Sequence, residues 1–448
     1  MFLHGKRIHP YAGIDSRLRC SVSMKMLIAS INAPGHLNPL LAVADILRKH
    51  NHEVLVHGAT AVKPIVEAAG MPFLPFLPEA DVSVEQYLAE FPERQDKPPG
   101  LEMISFDMEH YFARLLPGQA AGLKMALRHF PADVILVDSL FFATLPMLLG
   151  PREKRPAIVH LGVSILNVGS GKNIPARPGV SQKDLDAERE RREQLLLKPV
   201  QAAFNAALTK IGSSPLPCPL FESMSTLPDL YLHPGIRSFE YPDESSTSPV
   251  QFIGPLPSPK QHVLPNWWHE LNQTKRLVLI TQGTVANRDF GQLVGPALVG
   301  LAGEKDLILL VTTGGQPIES IPVPIPSNAR VVEFLPYDLV LQSVDLLITN
   351  GGYGTVNMAL SHGIPIVSAG LTEDKEEVSA HVEWAGIGID LRTNQAEPET
   401  VRTAARKVLD SPVYRERAKE LAREFASHDT EAEFLRLIEA CVNQAVEA

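Results

Sequence analysis

A chain of 448 residues is too long for one ordinary hydrophobic core, so two domains are expected. Its composition, 45% apolar and 21% charged, is that of a globular protein, and its net charge of −10 argues against a nucleic-acid or anionic-membrane partner, because both need a basic surface. Its three cysteines are scattered without zinc-like or redox spacing, which favours a reduced, cytoplasmic location.

The hydropathy pattern argues against a secretory signal and against a membrane anchor. Residues 1–23 lack an uninterrupted apolar run, so we expect a disordered N-terminal extension there rather than a secretory signal. The longest apolar stretch, from Val134 to Gly150, is interrupted by Asp138 and Pro146. No stable membrane insertion is therefore expected.

From Lys25 onward, strand-length apolar runs alternate with helical segments. A first series of strands is predicted at 26–31, 53–58, 134–138 and 157–162, with a helix at 39–50 that ends at Asn51 in a left-handed conformation. Strand, crossover helix and strand at this spacing predict a parallel βαβ unit. A second series of strands is predicted at 277–283, 307–315, 329–335, 346–352 and 364–368.

A stretch rich in proline and serine separates the two series and is typical of a linker. We predict an α/β protein with an N-terminal domain over 24–245, a linker over 246–265 and a C-terminal domain over 266–448, whose last helix is free to pack back on the N-terminal domain. The cleft between two such domains is the natural ligand site.

A glycine-rich segment, TNGGYGT at 349–355, joins a predicted buried strand to a predicted helix. Glycines let backbone N–H groups approach an anion closely, and the start of a helix adds a positive partial charge. The groups able to hold a diphosphate here belong to Asn350, Gly351, Gly352, Gly354 and Thr355. A second loop of this kind, at 281–289, places Gly283 and Thr284 after another predicted strand. One such loop alone is as often only a tight turn, but two in one domain favour a nucleotide site.

These loops, together with APGHLNPLLAVADIL at 33–47 and NHEVLVHG at 51–58, resemble the inverting glycosyltransferases that include the macrolide glycosyltransferases and the UDP-glycosyltransferases. The resemblance is most specific over 277–410. It implies a GT-B fold, in which two Rossmann-like domains face an interdomain cleft. It also implies that a hexose passes from a UDP- or TDP-sugar, which is a co-substrate, to a small acceptor, with no metal or cofactor.

The resemblance assigns the donor contacts residue by residue. The family's signature, His-x-Gly-x-Gly-Thr/Ser, corresponds to 350–355, with Asn350 in place of the His that contacts the phosphates. Phe334 matches the aromatic residue that stacks on the donor's base, and Leu335 the residue whose backbone reads the edge of the base. Phe334 as plain core at a strand end is the alternative.

The same resemblance places the sugar contacts in TEDKEE at 372–377. Asp374 matches the family's acidic residue, Glu373 is an additional candidate, and Lys375 stands where the family has Gln. The sugar, the choice of uracil or thymine, the acceptor atom and the oligomeric state remain open.

The N-terminal domain is expected to supply the catalytic base. His36 is predicted in a loop after the first strand, where a histidine suits a general base, and the family's base lies at this Gly-His position. From the residues alone, a loop histidine bonded to backbone is the alternative. Asp138 ends a predicted strand, so it should emerge at the same sheet edge as His36 and fix the tautomer of its imidazole.

Other charged and apolar segments receive simpler interpretations. The charge-dense run at 183–198 predicts a solvated helix, in which Asp184 and Asp186 are surface residues rather than metal ligands. His50, His52 and His57 straddle a helix end and a strand and are not expected to bind metal. The apolar segments at 106–116 and 139–149 favour a lipophilic or aromatic acceptor, with plain core as the alternative.

Two further functions remain open at this stage. A nucleotide-sugar epimerase shares the two-domain architecture and needs no acceptor. A non-catalytic nucleotide-sugar binding protein needs no base, so the pairing of His36 with Asp138 argues against it.

Overall fold

The computed structural model describes residues 23–166, 181–242, 249–257, 263–271, 274–284 and 286–447. Most of the expected N-terminal extension and parts of the predicted linker lie outside these ranges. Among the described residues, no helix combines the length and apolar character that crossing a membrane requires.

Two parallel sheets organise the chain, as the alternation of apolar runs predicts. The first has the strand order β3-β2-β1-β4-β5-β6-β7. Its strands are β1 (Lys25–Ala29), β2 (Glu53–Gly58), β3 (Phe73–Pro75), β4 (Val134–Asp138), β5 (Ala157–Leu161), β6 (Leu230–His233) and β7 (Val250–Phe252). The second has the order β10-β9-β8-β11-β12-β13. Its strands are β8 (Arg276–Thr281), β9 (Leu307–Thr312), β10 (Ala329–Val332), β11 (Val344–Thr349), β12 (Ile366–Ser368) and β13 (Gly388–Asp390).

Helices connect the strands as crossovers. In the N-terminal half they are α1 (Pro34–Lys49), α2 (Lys63–Ala68), α3 (Val84–Glu90), α4 (Leu101–Asp107), α5 (Arg114–His129), α6 (Leu145–Leu148), α7 (Gln182–Arg192), α8 (Lys198–Lys210) and α9 (Leu220–Thr226). In the C-terminal half they are α10 (Val294–Leu301), α11 (Tyr337–Val340), α12 (Tyr353–Ser361), α13 (Lys375–Trp384), α14 (Pro398–Asp410), α15 (Pro412–Phe425) and α16 (Thr430–Glu447). Wider helical turns at Met108–Ala113 and Glu193–Leu197 join α4 to α5 and α7 to α8.

Each sheet is buried on both faces, which explains why its strands are continuous apolar runs. Along β1, Met26 and Ile28 pack into the layer that contains α1, whereas Leu27 and Ala29 pack into the opposite layer. The last helix, α16, joins the first layer through a row of apolar side chains, Phe434, Leu437, Ile438 and Cys441. The chain therefore returns to the first sheet after completing the second.

Several predicted element bounds need correction. Strands β3, β6, β7 and β13 were not predicted, and β9, β10 and β11 end at Thr312, Val332 and Thr349 rather than at 315, 335 and 352. The first helix begins at Pro34 rather than at 39, because a proline is tolerated in the first turn, where its missing N–H has no intrahelical partner. The predicted linker contains β7, which pairs in parallel with β6 and lies at the edge of the first sheet. Its three residues lie close to prolines on both sides, so no apolar run marked it. Asn51 does adopt the predicted left-handed conformation, with φ of 63°.

His57 and His160, two of the fully buried histidines in the first domain, make stability depend on pH. Burial lowers the pKa of His57 and of His160 to about 4, against a backbone hydrogen bond that acts in the opposite direction. The unfolded chain binds these protons near pH 6.5, so the free energy of unfolding falls as pH drops from 6.5 to 4. The expected loss is about 1.4 kcal/mol per pH unit for each histidine.

The variant His160→Gln removes one of these titrations. We expect its free energy of unfolding to fall less steeply between pH 6.5 and 4 than that of the parent, as measured by urea unfolding at several pH values. His129→Gln, at the exposed end of α5, is the matched control and should leave the slope unchanged. An unchanged slope in His160→Gln would contradict the assignment.

Candidate functional site

The loops that follow the strands of one sheet contact those of the other. In each sheet the strand order reverses direction beside the first strand, between β1 and β4 and between β8 and β11. Ligands of open parallel sheets bind outside the carboxyl ends of the strands at this switch point. His36 and Asp138 lie at the switch point of the first sheet, and Gly283 and Asn350 lie at that of the second.

His36 and Asp138 form a hydrogen-bonded pair at the carboxyl edge of the first sheet. Nδ1 of His36 lies 3.0 Å from Oδ1 of Asp138. The His36 side chain is 22% exposed, whereas that of Asp138 is fully buried. The sequence had predicted His36 in a loop. It lies instead in the first turn of α1, because the helix begins at Pro34.

Backbone groups hold the Asp138 carboxylate in place. Its Oδ2 accepts a hydrogen bond from the N–H of Ile31 at 3.0 Å, and Oδ1 accepts one from Leu140 at 2.9 Å. Burial raises the pKa of Asp138, but His36 and these two N–H groups outweigh burial and keep the pKa below its ordinary value. The pair therefore consists of a fixed carboxylate and an imidazole whose Nε2 has no partner among the described residues.

The segment 349–355, here called the glycine loop, joins β11 to α12. Gly351 has φ of 87°, a conformation that favours glycine, and a Cβ there would lie 2.6 Å from Oγ of Ser379. Gly354 is exposed, and space is open on the side where a Cβ would stand. Because α12 begins at Tyr353, its first N–H groups have no intrahelical acceptor and are available to an anion.

The second loop approaches the glycine loop from β8. Gly283 has φ of 71°, a Cβ there would meet no atom within 4 Å, and Thr284 is exposed. The two predicted loops therefore follow neighbouring strands, since β8 pairs directly with β11. The N–H of Gly283 donates to Oγ1 of Thr281 at 3.1 Å, and open space lies on the side where a Cβ of Gly283 would stand.

Asn350 connects these two loops. Its Nδ2 donates to the carbonyl oxygen of Gln282 at 2.7 Å and lies 3.4 Å from that of Ala286. Two carbonyl oxygens on one side of the amide fix which end carries the nitrogen. The amide that we expected to donate to a diphosphate therefore donates to the protein itself, and its role in the structure is to hold the loops together.

Phe334 and Leu335 follow β10 at the same edge of the second sheet. The Phe334 side chain is 55% exposed, so it is not the core residue that was the alternative interpretation. Gly315, with φ of 89°, lies against it, and a Cβ there would come within 3.1 Å of the Phe334 ring. The Leu335 side chain is buried, and its backbone makes no hydrogen bond to any other described residue.

The segment 371–375, here called the acidic loop, leads from β12 to α13. Glu373 is exposed, has φ of 50° and pairs with Nζ of the buried Lys375. A non-glycine residue in this conformation is uncommon and often marks a functional loop. Partial desolvation of the carboxylate by the surrounding loop opposes ionisation, but the ammonium of Lys375 outweighs this effect and lowers the pKa of Glu373. Asp374 accepts a hydrogen bond from Ser164 Oγ, which crosses from the first domain to the second.

Sequence reasoning missed the residues of the first domain that meet the acidic loop. Ser164 lies just beyond the carboxyl end of β5, a position that could have drawn attention. Arg94 forms a bidentate ion pair with Asp107, at 2.6 and 2.8 Å, and its positive charge contributes to the lowered pKa of Glu373. No sequence signal marks Arg94, because it lies in a short turn between α3 and α4.

The predicted solvated helix is only partly solvated. Asp184 caps α7 with Ser181, and Asp186 is exposed beside Arg189, so both acidic residues are surface residues as predicted. Arg192, at the end of the helix, is only 4% exposed and pairs with Glu377 of α13 in the other domain. The charge pattern could not reveal this burial, because it depends on a partner 185 residues away.

The three histidines near β2 and the two apolar segments of the first domain have different surroundings. His50 contacts Glu431, whereas the rings of His52 and His57 bond to backbone groups of other segments. Within the described ranges, no three His, Cys, Asp or Glu side chains form a group that could hold a metal. The partly exposed rings of Phe106 and His110 are tilted against each other with centroids 4.2 Å apart, whereas the 139–149 segment is largely core.

Known proteins resemble both halves of the chain. A family model described as Erythromycin biosynthesis protein CIII-like, C-terminal domain, matches residues 298–441. The chain is 33% identical over 427 residues to the 4'-demethylrebeccamycin synthase of Lentzea aerocolonigenes, covering 93% of this chain and 99% of that relative. It is 32% identical over 425 residues to UDP-glycosyltransferase 2 of Phaeomoniella chlamydospora, covering 90% and 92%.

A solved structure confirms the architecture. The spinosyn rhamnosyltransferase SpnG complexed with thymidine diphosphate matches with a TM-score of 0.65 at 19% identity, over 93% of this chain and 100% of that one. Its likeness supports the predicted arrangement of two Rossmann-like domains. From the full-length matches and the paired parallel sheets, the chain belongs to the natural-product glycosyltransferases of the GT-B fold.

Proposed function

We propose that this glycosyltransferase inverts configuration as it moves a hexose from a UDP- or TDP-sugar to a small lipophilic or aromatic acceptor. In this proposal the domain over 24–245 binds the acceptor and the domain over 266–448 binds the donor. The observation that carries it is the 3.0 Å contact between His36 and the buried Asp138 at the cleft. A passive binding protein has no need of such a pair.

The chemistry begins with a proton transfer. Nδ1–H of His36 donates to Asp138, which leaves the lone pair of Nε2 to accept the proton of the acceptor nucleophile. The nucleophile attacks the anomeric carbon as the bond from that carbon to the diphosphate oxygen breaks, and its electron pair leaves with the diphosphate. Asp138 stabilises the imidazolium that forms, because its carboxylate is already ionised.

The C-terminal domain holds the leaving group in this proposal. The free N–H groups at the start of α12, the backbone around Gly283 and the hydroxyls of Thr284 and Thr355 neutralise the developing charge without a metal. Phe334 stacks on the base, the Leu335 backbone reads its edge, and the acidic loop holds the sugar hydroxyls. The exposed Phe334 ring supports this assignment, since an exposed aromatic residue is suited to stacking.

The relatives support both nucleotides and a small acceptor. One is named as a UDP-glycosyltransferase, and one solved structure contains thymidine diphosphate. Another is named for the synthesis of 4'-demethylrebeccamycin. On the first domain, Phe91, Phe106 and His110 form a partly exposed aromatic cluster with ring centroids 4.2 to 6.2 Å apart, which supports an aromatic acceptor.

The experiment that tests the proposal is a screen of UDP- and TDP-hexoses against apolar and aromatic acceptors, read by mass spectrometry. A product heavier than the acceptor by one hexosyl residue, which is a hexose less one water, supports transfer. An isomerised sugar in the reaction with donor alone would indicate an epimerase instead. Donor binding by calorimetry without turnover across the whole panel would indicate a binding protein.

Replacing His36 by Ala should abolish transfer while leaving nucleotide binding intact. The expected loss in kcat is about 10²- to 10⁴-fold, the usual contribution of a general base. Steady-state kinetics measure it, and calorimetry with the nucleotide diphosphate should give a dissociation constant within about twofold of the parent, since His36 lies in the other domain.

His129→Ala is the matched control, because His129 is exposed at the far end of α5. It should keep full activity. Near-normal turnover of His36→Ala would refute the proposed base.

Replacing Asn350 by Ala should weaken nucleotide diphosphate binding. The two loops lose the two hydrogen bonds that join them, at about 1 kcal/mol each, so we expect a dissociation constant raised about thirtyfold in calorimetry. Asn328→Ala is the matched control: the Asn328 amide also donates to two backbone carbonyls, those of Leu301 and Glu304, but at the amino end of β10. Equal effects of the two variants would contradict the role given to Asn350.

A further inference from the structure

A buried polar cluster lies behind the glycine loop, where the two domains meet. Its members are His233, the last residue of β6, then Glu240, which follows in the connection to β7, and Tyr353, the first residue of α12. Their exposed fractions are 0%, 3% and 5%. None of their side chains takes part in the proton transfer or donor contacts described above.

One arm of the cluster reaches the glycine loop. Oε1 of Glu240 lies 3.0 Å from Nε2 of His233, and the hydroxyl of Tyr353 lies 2.7 Å from the same nitrogen. The Tyr353 hydroxyl donates its one proton to the carbonyl oxygen of Pro234 at 3.0 Å, and Asn357 of α12 donates to that oxygen at 3.1 Å. The start of α12 is therefore fixed against the end of β6.

The other arm reaches the acidic loop. Oε2 of Glu240 accepts a hydrogen bond from the N–H of Leu166 at 2.9 Å. Two residues earlier, Ser164 donates to Asp374 across the cleft. The acidic loop leads into α13, which carries His381. Nε2 of His381 lies 3.9 Å from Oε2 of Glu240. The same carboxylate thus holds the segment of the first domain that meets the acidic loop.

The surroundings of Glu240 and Tyr353 shift their pKa values in directions that keep the bonds of the cluster intact. Burial raises the pKa of Glu240, but His233, His381 and the Leu166 N–H outweigh burial and lower the pKa, so the carboxylate stays ionised. Burial raises the pKa of Tyr353 well above its usual value, so the phenol stays protonated and able to donate. An ionised carboxylate in a dry interior is unfavourable unless all its bonds are made, so small displacements are strongly resisted.

The packing around the phenol leaves little freedom. A Cβ at Gly235 would lie 2.7 Å from the Tyr353 oxygen, so the phenol reaches His233 only because residue 235 is a glycine. A purely structural contact between domains would be served by apolar side chains of the same size. Here the contact is polar, directional and joined to the first residue of the helix whose N–H groups face the donor.

We propose that Glu240 is a positioning residue for sugar transfer. Through His233 and Tyr353 it sets the position of the glycine loop, and through the 162–166 segment it sets the position of the acidic loop. One buried carboxylate thereby aligns both donor-holding loops with the domain that carries His36. This inference rests on the proposed function, because it assigns the diphosphate to one loop and the sugar to the other.

The test combines Glu240→Gln, Tyr353→Phe and the double variant. Each single change should raise the KM for the donor and the dissociation constant of the nucleotide diphosphate about tenfold, with the acceptor KM within about twofold of the parent. Because the two residues act through one network, the donor KM and the dissociation constant of the double variant should be about the same as those of the more affected single variant. Independent effects would instead multiply to about a hundredfold.

Asp229→Asn is the matched control for loss of a carboxylate. Asp229 also binds an arginine and a backbone N–H, but it precedes β6 and so lies at the opposite edge of the sheet. It should lower stability without changing donor KM. Tyr353→Phe removes a single oxygen, so it keeps the test valid if Glu240→Gln fails to fold, which thermal unfolding would reveal.

These measurements distinguish failure of the positioning role of Glu240 from failure of the proposed sugar transfer. Unchanged donor affinity in Tyr353→Phe, multiplicative effects in the double variant, or an equal rise in donor KM in Asp229→Asn would each overturn the positioning role. If the parent transfers no sugar with any donor, the proposed function fails, and nucleotide diphosphate binding by the variants still tests the positioning role.

Discussion

The opposition of two open sheet edges is the constraint on which the rest of the structure depends. A parallel sheet covered on both faces leaves only the carboxyl ends of its strands free to present loops and unpaired backbone groups. Here both sheets direct that edge into one cleft, as the contacts of Ser164 with Asp374 and of His233 with Tyr353 demonstrate. In the proposed mechanism, a proton acceptor on one side and anion-binding N–H groups on the other follow from this arrangement.

The two sides of the cleft use different electrostatics. The first domain fixes a full negative charge, Asp138, under a single imidazole, whereas the glycine loop relies on backbone dipoles and the start of α12. The Asn350 amide joins two loops by hydrogen bonds, and the Lys375 ammonium pairs with Glu373. Polar side chains of these loops therefore hold the loops in place, and in our proposal Glu240 extends the same principle to the junction between the domains.

Much of the fold was predictable, because its signals are local. Strands such as 53–58 and 134–138 are uninterrupted apolar runs, and the strand-end positions of Asp138 and Gly283 follow from them. The GT-B fold and the glycosyltransferase family are confirmed. What local pattern could not supply are contacts between distant residues: the burial of Arg192, the bond between Ser164 and Asp374 across 210 positions, and the engagement of the Asn350 amide. The short edge strand β7 was missed because three residues close to prolines show no periodicity.

The central claim is direct displacement at the anomeric carbon by a nucleophile that His36 deprotonates. The most direct measurement is the anomeric configuration of the product, read from the proton coupling of the new linkage by nuclear magnetic resonance. An α-linked nucleotide sugar should give a product that is entirely β-linked. An α-linked product would contradict single displacement and require that the sugar pass through an intermediate that this pair of residues does not explain.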